Sequence, residues 1–309
     1  NYTLDTNALT GIGTIARRAL TLGTVAAQTK TYDGTTAADA SKFGAALNNV
    51  VAGDSVTAAA TGAAYNDKNV ARANRIDYTG VALRGADAGN YSIADTAQGA
   101  GTISRRELTV DTVASQSKTY DGTTSADTSK FQATLGNLVA GDENSVTATA
   151  AGAAYNDKNV AGANKVGYTG LALTGAGAGN YTLAATTAEG AGRITPKKLN
   201  LALANGARFD KIYDGNASVT QAFTKGGNYT LTGFVGTEGT GIELKSATGR
   251  YADKNAGTDK NVTFDGLSLT GTGAGNYALD KTALTGTGTI TKRALTLGAV
   301  GAQSKTYDG

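Results

Sequence analysis

Three groups of side chains recur in this chain at spacings that chemistry can use. The first is Lys30, Tyr32, Asp33 and Gly34, which returns as Lys118, Tyr120, Asp121 and Gly122 and again as Lys211, Tyr213, Asp214 and Gly215. The second is Tyr65-Asn66-Asp67-Lys68-Asn69, with equivalents at 155–159 and 251–255. The third is Gly-Asn-Tyr, ending in Tyr91, Tyr181 and Tyr277. Asp and Asn oxygens suit calcium, a neighbouring Lys and Asn suit an isopeptide cross-link, and tyrosines suit a carbohydrate-stacking platform. Each group also has a plainer use. Asp-Gly makes a tight turn because Gly tolerates positive φ. Tyrosine buries its ring while its hydroxyl stays wet or hydrogen-bonded. Asp67 stands alone beside Lys68 with no run of alternating carboxylates, which makes a poor calcium site.

Catalysis finds little to work with. The chain has no His and no Cys, so the commonest general base and the thiolate nucleophile are missing. Serines and threonines are plentiful, but nothing beside them activates a hydroxyl, and the carboxylates are scattered over turns. Near-copies in tandem also argue against an active site. We expect no enzyme, no cofactor and no metal. A formal charge of +3 over 309 residues lacks the basic excess of a nucleic-acid binder. No apolar run has the length of a membrane span. Leu, Ile, Val and Phe together fall below the ~20% that raises the prospect of disorder, but the high net charge that accompanies disorder is absent.

These groups are positioned by a repeat. The tyrosines of the Tyr-Asp-Gly copies lie roughly ninety residues apart, longer than a solenoid period and the size of a small domain. A fourth copy starts at Lys305. The reading is a partial repeat at 1–16, complete repeats at 17–104, 105–195 and 196–291, and the start of another at 292–309. Residues 1–34 align without a gap on 276–309 with most positions identical, which points to a longer period of three domains.

At each junction a strand, a basic pair and another strand follow one another. The pairs are Arg17-Arg18, Arg105-Arg106, Lys197-Lys198 and Lys292-Arg293. They can keep junction strands soluble and block edge pairing, or form a ladder for an acidic polysaccharide. No Gly/Ser-rich linker intervenes, and the sole proline, Pro196, sits at a junction. Neighbours should therefore be held firmly. Inside each repeat, large apolar residues recur at every second position: Ile76 and Tyr78, Val81 and Leu83, and the counterparts Val166 and Tyr168, Val262 and Phe264. That is the period of half-buried strands. Residues 37–47 are the one helix candidate, and the β-branched Val219-Thr220 of the third copy favours a strand there. About seven strands per repeat suit an immunoglobulin-like β-sandwich, with a β-grasp-like domain as the alternative. Tyr91, Tyr181 and Tyr277 resemble that fold's tyrosine corner, with Ile93, Leu183 and Leu279 where its second Cys would stand.

The ordered set K-T-Y-D-G-T-T, V-x-G-D, Y-x-D-K-N, G-x-G-A-G-N-Y and T-I-T-x-K/R-x-L is similar to the YDG-type repeats of large bacterial surface proteins. Such repeats occur in filamentous-haemagglutinin-like adhesins exported by two-partner secretion. Val51-Ala52-Gly53-Asp54 and Val139-Ala140-Gly141-Asp142 fit the pattern, and Val235-Gly236-Thr237-Glu238 departs from it. The resemblance implies an extracellular stalk or fibre segment with no catalytic residue. Its partners would be neighbouring repeats of the same chain, other copies in a matrix fibre, or surface glycans.

Overall fold

A computed structural model describes residues 1–3 and 10–309. Leu4, the last residue of the first Asn-Tyr match, and the rest of 4–9 lie outside the described residues. The chain is all-β, with 42% of residues in strands arranged in curled sheets. Among the described residues the helical elements are single 3-10 turns, such as Ala40–Lys42 and Ala88–Asn90. The helix candidate at 37–47 resolves into that first turn, whose N-cap Asp39 accepts from the Ser41 N–H, followed by the strand Ala45–Asn48.

Each repeat builds one four-stranded sheet. In the first repeat, Gln28–Thr31 runs parallel to the end of the long strand Thr96–Ser104. That long strand pairs antiparallel with Arg75–Thr79, which pairs antiparallel with Gly62–Tyr65. Alternation explains the faces: Ile76 and Tyr78 point inward and are fully buried. The facing side of Thr96–Ser104 is Gly99, Gly101 and Ile103. Glycine is required at 101, because a Cβ there would lie 2.6 Å from Ile76 and 3.0 Å from the Tyr65 ring. The rings occupy the space that side chains of this strand would fill. The same Gly-x-Gly-x-Ile pattern stands in Thr187–Thr195 and Leu284–Thr291.

The rest of each repeat forms smaller sheets. In the middle repeat, Arg106–Val113 lies between Ala133–Gly136, antiparallel, and Tyr181–Leu183, parallel. In the third, Lys197–Leu203 lies between Tyr229–Thr232 and Tyr277–Leu279 in the same way. A separate antiparallel pair, Thr147–Thr149 with Ala172–Thr174, completes the middle repeat. Nine strands make up this repeat, more than the seven expected. The excess comes from strands of three or four residues that turn signals do not separate, such as Thr147–Thr149 and Gly152–Tyr155.

The strand–basic pair–strand junctions form at 96–113 and 187–203, with Arg105 or Pro196 between consecutive strands. After Leu284–Thr291 no strand follows, and Leu295 and Leu297 are exposed. The counterpart strands of the middle and third repeats, Arg106–Val113 and Lys197–Leu203, pair with Tyr181–Leu183 and Tyr277–Leu279.

The compact units are out of phase with the sequence repeats. One comprises residues 1–114, 128–152 and 168–188, and the other comprises 115–127, 153–167 and 189–309. In the first unit a single core joins Tyr32, Tyr65, Ile76, Tyr78 and Ile103 of the first repeat to Leu108, Val146 and Tyr181 of the middle one. Hydrophobic burial, the main favourable term in folding, is thus shared across a repeat boundary.

Candidate functional site

The Tyr-Asp-Gly turn is organised by the lysine before it. Lys30 Nζ donates to Asp33 Oδ1 at 2.7 Å, to the Thr35 carbonyl at 2.9 Å and hydroxyl at 3.1 Å, and to the Ala37 carbonyl at 3.0 Å. The ammonium also lies 5.2 Å from the centre of the Tyr65 ring, within cation–π range. Asp33 Oδ1 in turn accepts from the Thr35 N–H at 2.9 Å, an Asx turn that tightens the loop. Gly34 follows at φ +79°, a conformation that costs most side-chain-bearing residues about 1–2 kcal/mol. Lys118 repeats the set with Asp121 and Thr123. Lys211 repeats it with Asp214, Asn216 and Ser218, the Asn216 amide oxygen replacing the threonine hydroxyl. Burial alone would raise the Asp33 and Asp121 carboxyls, but hydrogen bonds from Lys and Thr outweigh it and hold both below their ordinary value. The Lys211 hydrogen bond does the same for Asp214.

The tyrosine of this turn reaches into the next repeat. In the first unit, Tyr32 is buried and its hydroxyl donates to Asp142 Oδ2 at 3.0 Å. The same oxygen accepts from the Tyr181 hydroxyl at 2.6 Å, and that hydroxyl accepts from the Val139 N–H at 3.1 Å. The two rings meet edge to face with centres 5.2 Å apart, a geometry worth about 0.5–1.5 kcal/mol beyond burial. Burial, followed by the hydrogen bond to Asp142, pushes Tyr32 up to about 12 and raises Tyr181 as well. A second clasp lies alongside. Asn180 is buried; its Oδ1 accepts from the Val70 N–H, and its Nδ2 donates to Asn69 Oδ1, both at 2.9 Å. Asn69 is set by Asp67, which accepts from its backbone and side-chain nitrogens at 2.8 and 2.9 Å.

The second unit contains the same arrangement. Tyr120 donates to both Glu238 oxygens at 2.9 and 3.0 Å. Tyr277 donates to Glu238 Oε2 at 2.6 Å and accepts from the Val235 N–H at 3.1 Å. Asn276 accepts from the Val160 N–H and donates to Asn159, again at 2.9 Å each. Burial and the bond to Glu238 push Tyr120 up to about 12. The departure Val235-Gly236-Thr237-Glu238 therefore supplies a carboxylate at the place of Asp142, one methylene longer.

A family model for the YDG domain matches residues 16–98, 104–188 and 195–284. The chain belongs to the YDG domain family. No curated protein matches it. In the YDG domains of this chain the motif residues meet at the junctions: the turn tyrosine and the Asn loop of one domain grip the Asn-Tyr and carboxylate of the next. Besides giving Tyr32 and Asn69 to the middle domain, the first YDG domain carries the receiving set as well, with Tyr91 donating to Asp54 at 2.5 Å and accepting from Val51 at 3.0 Å. The third presents the giving half, with Tyr213 half-buried beside Asp214 and Gly215. Of the basic pairs, Arg105 and Arg106 donate to the carbonyls of Gly179 and Asn137 at 3.1 and 2.7 Å. Among the described residues, no group of three or more acidic side chains is placed to hold a metal ion.

Sequence reasoning picked out the tyrosines, Asp33, Asp121, Asp214 and their glycines. It passed over the lysine cage, the Asn–Asn clasp and the shared carboxylate. The available signal was the fixed spacing of a valine and a carboxylate, Val51 with Asp54, Val139 with Asp142 and Val235 with Glu238.

Proposed function

We propose that this chain is a stalk or fibre segment of a long repetitive bacterial adhesin, extracellular on the cell surface or secreted, which spaces or connects adhesive parts. One observation carries the reading: each junction carboxylate, Asp142 or Glu238, binds a tyrosine of its own domain and one of the preceding domain. Such a joint resists bending and twisting, the property a spacer needs. The likeness of the motif series to surface-adhesin repeats supports the setting. As part of the same proposal the domains are immunoglobulin-like, on the strength of a buried tyrosine bonded back to an upstream loop. The parallel pairing of Gln28–Thr31 with the last strand is a departure from a purely antiparallel sandwich.

A glycan-binding module is less favoured. Tyr32, Tyr91, Tyr120, Tyr181 and Tyr277 are buried, which removes their rings from any exposed platform. Small-angle scattering from residues 17–291 over a concentration series tests the spacer. Three domains in a row should give a rod roughly 100–130 Å long. A compact or freely flexing particle would overturn it.

A further inference from the structure

The middle and third domains open a cleft at the same place and furnish it differently. Phe131 packs on Tyr168 with ring centres 4.8 Å apart, and its counterpart Phe223 stacks on Phe264 at 4.2 Å. In the third domain five residues, 224–228, separate that ring from the strand Tyr229–Thr232. In the middle domain Gln132 alone stands between Phe131 and the strand Ala133–Gly136. The extra segment carries Lys225, which lines the cleft with Leu231, Phe234 and Gly239. Its ammonium donates to the carbonyls of Gly239 and Ile242 at 2.6 and 2.8 Å and lies 4.9 Å from the centre of the Phe234 ring. A cation on an alkyl stem is thus what the third-domain cleft holds.

The corresponding cleft of the middle domain has a carboxylate and no cation among its lining residues. Phe131, Leu135, Leu138 and Val146 give it apolar walls around about 460 Å³, and Glu143 completes the lining. Counted from the junction carboxylates Asp142 and Glu238, Leu135, Leu138, Glu143 and Val146 correspond to Leu231, Phe234, Gly239 and Ile242. A carboxylate therefore stands at the position whose carbonyl receives Lys225. Glu143 is exposed, and its Oε2 accepts from the Gly141 N–H at 2.9 Å, which tethers the carboxylate to its own loop. In the first domain one residue separates Asp54 from Val56, where three separate Asp142 from Val146. That loop is too short to carry a counterpart of Glu143.

We propose that the middle-domain cleft binds a lysine or arginine side chain presented by a basic segment of another protein. The alkyl stem would lie along Leu135 and Leu138 while the charged head stays at the wet rim, as such side chains prefer, and pairs with Glu143. The third domain supplies the precedent within the same fold, and Glu143 selects the sign of the guest. The site lies inside one complete domain, so it stands independently of the spacer reading.

The test is a titration of the isotopically labelled chain with a short blocked peptide that has a central lysine among alanines, read by amide NMR shifts. Shifts should cluster at 131–148 and saturate with a Kd on the order of 1 mM. The same peptide with norleucine for lysine should bind roughly three- to fivefold more weakly, the worth of an ion pair at a wet rim. Glu143→Gln should weaken the lysine peptide by a similar factor and keep the parent melting temperature, since Glu143 is exposed; the norleucine arm needs no variant. Lys225→Ala frees the Gly239 and Ile242 carbonyls, and a second set of shifts should then appear at 231–242. Lysine and norleucine peptides that bind alike, or no loss with Glu143→Gln, would overturn the cationic guest. Equal binding of n-butylamine would assign the cleft to small amines and overturn the protein partner. Shifts scattered over the surface, or none at about ten times the expected Kd, would overturn the site itself.

Discussion

The Tyr32 hydroxyl donates a 3.0 Å hydrogen bond to the carboxylate of Asp142, a residue 110 positions further along the chain. Tyr181 donates to the same oxygen. Asp142→Ala should leave two buried phenols without their acceptor and cost about 3 kcal/mol, while Asp142→Asn keeps an acceptor and should cost roughly 1 kcal/mol. Urea denaturation of the chain separates the two. Equal, negligible losses would mean that water satisfies the phenols.

Alkaline pH should loosen the junctions. Tyr32 and Tyr120 ionise near 12 in the folded chain, against about 10 when unfolded. The folded state thus holds protons that the unfolded state has released. The stabilisation is fully present below pH 10 and is lost as pH rises through about 12. Melting temperature should be flat to about pH 9.5 and then fall. Absorbance of tyrosinate should show a late-titrating class that Asp142→Asn shifts downward.

The lysine of the repeated turn should matter more than its surface position suggests. The Lys211 side chain is 4% exposed and donates to four oxygens. Lys211→Met takes the ammonium from the Asn216 and Ser218 carbonyls and leaves Asp214 Oδ1 and Asn216 Oδ1 with only their backbone donors, and we expect a loss of about 2–3 kcal/mol in denaturant titration. Lys30→Met, in a wetter cage, should cost less.

Two turn glycines share a backbone conformation and differ in surroundings. Gly34 and Gly215 have φ of +79° and +85°. A Cβ at Gly34 would lie 2.8 Å from Val139, and one at Gly215 meets nothing within 4 Å. Gly215→Ala should cost about 1–2 kcal/mol, the left-handed penalty, and Gly34→Ala should cost more. Equal costs would place no weight on the packing of the turn against the next domain.

A domain cut at its sequence boundary should be weakened. Residues 17–104 alone lose Leu108, Val146 and Tyr181 from their core. They should melt lower than residues 17–195, as neighbour terms in repeat arrays predict. Equal melting temperatures would show that the shared core adds nothing.

The sequence made some of this legible and hid the rest for a physical reason. Ile76 and Tyr78 announced their strand because burial alternates along it. Gly34 announced its turn because few residues adopt that φ. The pairing of Gln28 with Gly101 was silent, since a parallel neighbour far along the chain leaves no local period. Glu238 looked like a lapse in the Val-x-Gly-Asp pattern, although a glutamate reaches the tyrosines as an aspartate does. The Lys30 cage was hidden because half of its acceptors are backbone carbonyls, which no side-chain pattern records.

The parallel pairing of an early strand with the last strand of a domain has a mechanical consequence. Gln28–Thr31 and the end of Thr96–Ser104 lie side by side, four residue pairs in register. Tension applied through the chain pulls such neighbours past each other along their length. All the bonds between them are then loaded together, and none can peel off ahead of the others. A domain paired this way should give abruptly at high force and hold below it.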